Sequence, residues 1–146
     1  MRRLAVVLSV VIILAGWGPF VIFPGGKLEG AEAALPSDWR FSDAINTVQL
    51  ETRSSDPYSV NIWIIAMGAD LYVHAGDNRA AWVDHLEDNG KARVRIGDDI
   101  YTLQAKRVVE QSEFDRFSDA YEKKYERRPG NENAGEAYLY RLVTPN

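Results

Sequence analysis

Few side chains in this sequence can do chemistry of their own, and the most suggestive lie in one run, Tyr72-Val73-His74-Ala75-Gly76-Asp77-Asn78-Arg79. The pattern predicts a strand that ends, a glycine that lets the backbone come close to a ligand, and a helix that begins. Free amides at a helix N-terminus favour a bound phosphate, and Arg79 would add a bidentate contact. Asp77 pulls the other way, because an ionised carboxylate at that place caps the helix and repels an anion. A phosphate-holding turn and an ordinary capped helix start are both open readings of these residues. His74 and His85, with Asp77 and Asp84 nearby, match no standard set of metal ligands, so no metal is expected. Asp98-Asp99 reads as a solvated hairpin tip. The chain has no cysteine, hence no thiol chemistry and no disulfide framework. It also lacks G-x-S-x-G, a Walker lysine loop, G-x-G-x-x-G and H-E-x-x-H.

The elements that must position these residues are predominantly strands. Residues 45–52 and the β-branched and aromatic run 58–66 (YSVNIWIIA) read as two strands separated by the turn Ser54-Ser55-Asp56-Pro57. Met67-Gly68-Ala69-Asp70 breaks the chain, and 71–75 (LYVHA) follows as a third strand. Trp82, Val83 and Leu86 then recur at helical spacing, predicting a short helix over 78–88 with Asp77 as N-cap and Asn89-Gly90 as its stop. Residues 92–96 and 100–109 alternate around Gly97-Asp98-Asp99 as a second hairpin. Ser112-Glu113-Phe114-Asp115 resembles a capping box. Phe114, Phe117, Tyr121 and Tyr125 form an aromatic stripe on the helix that follows, a stripe expected to face the core. Residues 137–143 close as a last strand. The order β-β-β-α-β-β-α-β predicts a mainly β (α+β) domain, a six-stranded antiparallel barrel with two edge helices.

Residues 4–23 (LAVVLSVVIILAGWGPFVIF) carry no charge. Twenty residues at about 1.5 Å each span a hydrocarbon core of about 30 Å, which predicts one transmembrane helix behind a cytoplasmic stub, 1–3. The alternative is a cleaved secretory signal ending near Ala31-Glu32-Ala33, but the apolar run exceeds the usual signal core of about 7–15 residues. Arg2 and Arg3 before the span place the N-terminus in the cytoplasm and the domain outside a cell (inner) membrane. Residues 24–40, rich in Gly, Ala and Pro, read as a linker, and 41–146 as one domain. The chain has 17 Lys and Arg against 21 Asp and Glu; setting Arg2 and Arg3 aside leaves 15 against 21, or −6. That balance argues against a nucleic-acid surface.

A resemblance bears on the domain's function. The blocks Pro57 to Trp63, Leu71 to Gly76, Trp82-Val83-Asp84-His85-Leu86 and Ala92 to Ile96 resemble, in content and order, the flavin-binding split barrel of the pyridoxamine 5′-phosphate oxidase-like superfamily. That group includes the deazaflavin-dependent nitroreductases. The blocks lie within 56–109, a little over a third of the chain. The resemblance implies a homodimer with FMN or a deazaflavin between subunits, supplying redox chemistry on a small molecule. Tyr58, Ser59, Asn61 and Trp63 would line the ring, while His74, Gly76, Asn78 and Arg79 would meet the phosphate. Trp82 would be a core residue or a ring-stacking wall. The sequence departs from the family on the first helix. Trp82 stands where many members have a phosphate-binding lysine, His85-Leu86 replaces Asn-Leu, and Asn89-Gly90-Lys91 replaces the usual Asn-Pro. The alternative is a cofactor-free split barrel that binds a ligand or serves an envelope assembly.

Overall fold

The computed structural model describes residues 25–76 and 79–146. The expected stub and membrane helix, 1–23, lie outside them. Among the described residues no helix is long and apolar enough to cross a membrane.

Seven strands form one curled antiparallel sheet: β2 (Thr47–Thr52), β3 (Tyr58–Trp63), β4 (Ile65–Met67), β5 (Asp70–His74), β6 (Lys91–Ile96), β7 (Asp99–Arg107) and β8 (Leu139–Val143). Their order across the sheet is β3-β2-β6-β7-β8-β5-β4. The outermost strands, β3 and β4, are consecutive in the chain, so the sheet bends round on itself as a half-barrel. A short β1 (Ala31–Glu32) joins β7 in parallel. Among the described residues the α-helices are α1 (Ala81–Asn89) and α2 (Gln111–Tyr125).

Alternation along the strands decides which side chains go inside. Val48 and Leu50 of β2, Val94 and Ile96 of β6, and Val73 of β5 point into one core, where they meet Trp82, Val83 and Leu86 of α1. Helix α2 covers the opposite face of β5 and β8, packing Phe114 and Phe117 against Tyr72, Leu139 and Ile65. Each helix is also tied by a charged clasp. Tyr72 donates to Glu113 of α2 at 2.7 Å, and Arg141 lies 3.3 Å from the same carboxylate. Tyr140 donates to Glu87 of α1, which Arg107 meets at 3.1 Å. Burial, and then the adjacent carboxylate, push both phenols well above their ordinary range.

Four sequence expectations change. The single strand over 58–66 is two, because the chain changes partners at Ile64: Thr47↔Trp63 ends the ladder with β2, and Ile65↔Tyr72 begins the one with β5. Helix α1 begins at Ala81 rather than 78, with Ala80 at the N-cap position and no side-chain cap; Asp77 is outside the described residues. The Ser112 capping box is not made. Helix α2 starts at Gln111, with Glu110 and not Ser112 at the N-cap position, two residues earlier than the box requires, and Gln111 donates instead to Asp115 at 2.8 Å. The stretch read as a linker is fastened to the sheet from Gly25 onward. Leu28 is buried and its N–H donates to the buried carboxylate of Glu51, Arg95 donates to Glu29 O, and Ala31 and Ala33 donate to Asp98 O and Ile100 O. Trp39 is also buried, with its indole N–H on Ala69 O at 3.0 Å.

The expected stop of α1 is present. Gly90 adopts φ 68°, and its N–H donates to Leu86 O. A side chain there would be strained and would also strike Gln104 and Ala105 of β7.

Candidate ligand cleft

The partner change at Ile64 opens the sheet. Backbone groups of an antiparallel strand leave its two edges alternately. Ser59 exchanges both its hydrogen bonds with Gly25 at 2.8 Å, so the groups of Asn61, Trp63 and Ile65 leave by that same edge. Ile65 finds Tyr72 of β5, but the rung that would set Trp63 opposite His74 is not made, since the β4–β5 register stops at Ile65↔Tyr72. Between the Gly25 bridge and β5 lies a cleft of about 460 Å³.

Asn61 and Trp63 line one side of the cleft, and Tyr72, His74 and Gly76 the other; Phe117 and Tyr121 of α2 and an edge of Trp82 complete it. Among the described lining residues none is Asp, Glu, Lys or Arg. The walls are aromatic, and the polar groups are neutral ones such as Thr47 and Asn61. His74 Nε2 donates to Asn131 Oδ1 at 3.0 Å, and its ring packs against Phe117 and Tyr121.

Trp63 is 40% exposed, unusual for so large an apolar side chain, yet it is firmly placed. Its ring stacks on Tyr125 at 4.3 Å with the planes 11° apart. Tyr125 in turn replaces the β2 strand where that strand ends: its hydroxyl accepts from Ile64 N–H at 3.0 Å and lies 2.8 Å from Asn46 O. Burial pushes this phenol up to about 12. Lys124 donates to Ile64 O at 2.9 Å and Ser42 O at 3.1 Å, and desolvation lowers its pKa. The end of α2 thus satisfies the backbone at the partner change and holds the wall of the cleft.

Five of the nine sequence-selected residues meet here: Asn61, Trp63, His74, Gly76 and Trp82. Four do not. Tyr58 packs edge-on against His85 at 5.1 Å, and the buried Ser59 serves the Gly25 bridge. Asn78 lies outside the described residues. Arg79 is turned to its own helix, its Nε donating to Asp84 at 2.6 Å and its guanidinium lying 5.4 Å from the centre of the Tyr138 ring. Trp82 is mainly a core residue, 4% exposed and packed on Tyr140. Sequence reasoning missed Thr47, Ile65, Tyr72, Phe117 and Tyr121 as cleft residues. The aromatic stripe of α2 was the available signal for the last two. Among the described residues no cluster of three metal-ligating side chains exists.

These features define a class: a small half-barrel domain with a ligand-sized aromatic cleft where the barrel fails to close. Residues 42–138, 97 of the 146, match a family described as "Uncharacterized protein conserved in bacteria (DUF2255)", and the chain belongs to it. No curated protein matches.

Proposed function

We propose that the half-barrel binds a planar heteroaromatic small molecule in this cleft, with the ring of FMN or a deazaflavin as the candidate that the split-barrel resemblance supplies. The observation that carries the reading is a continuous aromatic lining beside an unclosed strand edge, in which the 40% exposed Trp63 stacks on Tyr125 and meets Tyr121, and Tyr121 leads on to Phe117 and His74. Flat rings gain offset-stacking energy on such walls, and neutral donors such as Asn61 orient them. A bound flavin or deazaflavin would supply hydride or electron transfer on a small molecule. The protein's part is to hold the ring and exclude water.

The ring half of such a cofactor suits the lining, whereas the phosphate half does not. Arg79, the cation expected there, is paired with Asp84, and no lining residue described carries a positive side chain. This favours a second reading, in which the cleft takes an uncharged ring as a ligand without catalysis. The membrane tether at 4–23, the extracytoplasmic side and a homodimer accompany both readings as proposals.

The test is a spectrum of the purified full chain, followed by titration with FMN and with riboflavin. A cofactor site that reads phosphate binds FMN at least tenfold more tightly, about 1.4 kcal/mol. Equal affinities favour the uncharged-ring reading, and no binding of either rejects flavin as the occupant.

A further inference from the structure

A second cavity, of about 540 Å³, lies where β2, β6 and β7 run side by side, at the opposite end of β2 from the ring cleft. No described residue lines both. Strand alternation puts Lys91 and Arg93 of β6, and Thr102, Gln104 and Lys106 of β7, on the face away from the core residues Ala92, Val94 and Leu103. Register then gathers the cations. Lys91 pairs with Gln104 across the β6–β7 ladder, so Lys106 is its diagonal neighbour, with Cα atoms about 7–8 Å apart. Lys106 also stands directly opposite Arg141 of β8. Like charges so placed repel one another.

The two arginines are already matched: Arg93 holds Glu51 and Glu32, and Arg141 lies 3.3 Å from Glu113. Lys91 and Lys106 are exposed, and neither has an ion-pair partner among the described residues. The described lining thus carries Lys91, Arg93 and Lys106 against one carboxylate, Glu51, which is committed to Arg93. This stands out in a chain of net charge −4. A cleft lined by one sign of charge concentrates ions of the other. A lysine ammonium meets phosphate or carboxylate as a point charge with three donors. We propose that this cavity is a second ligand site, one that takes a small organic dianion, with Lys91 and Lys106 each meeting a negative charge. Two charges match the two unmatched lysines, and Ala92, Leu103 and Pro145 in the lining offer contacts to a carbon skeleton. A phosphate monoester and a dicarboxylate both carry this chemistry. The site is independent of what the ring cleft binds.

The test is calorimetric titration of the full chain with glycerol 3-phosphate and with succinate, at constant ionic strength so that screening does not vary. Saturable binding of at least one probe is expected, and the probe that binds more tightly names the source of the charge. Lys91→Met and Lys106→Met keep the aliphatic stems and should fold, with circular dichroism and riboflavin affinity unchanged. Each should weaken the anion at least tenfold. Lys123→Met, which removes an exposed lysine of α2 outside this cavity, should leave the affinity as it is. Absence of saturation with both probes, or an affinity that survives either substitution at Lys91 or Lys106, would overturn the proposal.

Discussion

The two ends of β3 treat their backbone and neighbours in opposite ways. At its start the chain from Gly25 crosses the outer face of β3, β2 and β6 and leaves little unsatisfied. Ser59 pairs with Gly25, and Glu51, 4% exposed, accepts from Leu28 N–H and from Arg93 at 2.9 and 3.0 Å, while Arg93 also reaches Glu32. At its end the same strand loses β2 and has not yet met β5. There the end of α2 repairs one edge through Tyr125 and Lys124, and the other edge stays open as the cleft. The first region is built for stability and the second for access. A short sheet provides both by letting one continuous strand serve two neighbours in succession.

Mutations should separate the two ends, and the sealed one should respond most. Arg93→Met leaves the Glu51 carboxylate buried without its cation, and should cost about 3 kcal/mol in chemical denaturation while leaving the cleft's ring affinity unchanged. At the open end, Tyr125→Phe removes the hydroxyl that serves Ile64 and Asn46. A loss of about 1 kcal/mol is expected, together with a change in Trp63 fluorescence. A loss as large as that of Arg93→Met would mean that the open end, too, is a stability device.

His85 gives a smaller, pH-dependent effect beside the sealed end, where Thr52 and its Nδ1 share a hydrogen bond of 2.8 Å. Desolvation, and then the charge of Arg53, lower its pKa below the ordinary 6.5. The unfolded chain therefore binds the proton more readily than the folded one. The contribution is fully present above about pH 6.5 and is lost as the pH falls through the folded value. Denaturation midpoints measured from pH 7.5 to 5 should decline less in His85→Gln than in the wild type. The smallest effect belongs to Arg79→Ala, which removes an exposed pair with Asp84 and nothing from the cleft. Both stability and FMN affinity should stay within error, and a tenfold loss of affinity would restore Arg79 as a phosphate ligand.

Much of this layout was legible from residue patterns because the interactions are local. Strand alternation, the turns at Gly68-Ala69 and Gly97-Asp98, the buried stripe Trp82-Val83-Leu86 and the stop at Gly90 all depend on neighbours a few residues apart. The fastening of residues 25–33 to the sheet was missed because Gly/Ala/Pro composition reads as linker, whereas the attachment comes from Glu51, Arg95 and Ile100, which are remote in sequence. The partner change at Ile64 was missed for a similar reason, since a strand that swaps neighbours keeps the same β-branched pattern. Arg79 was placed in the site because a helix start beside a glycine suggests an anion, but Asp84, five residues on, claims it first. Trp63 and His74 were selected by the resemblance, yet nothing in their spacing showed that Tyr125 and Asn131 would hold them.

The most direct test of the cleft as a ring-binding site is a fluorescence titration of riboflavin into the full chain and into Trp63→Ala. Trp63 is exposed and lies on Tyr125 rather than in the core, so the variant should fold and keep its secondary structure. Saturable quenching in the wild type that weakens at least tenfold in Trp63→Ala is the predicted result. Saturable quenching that is unchanged in the variant would place the ring elsewhere, and no saturation in either protein would contradict the cleft as a flavin-ring site.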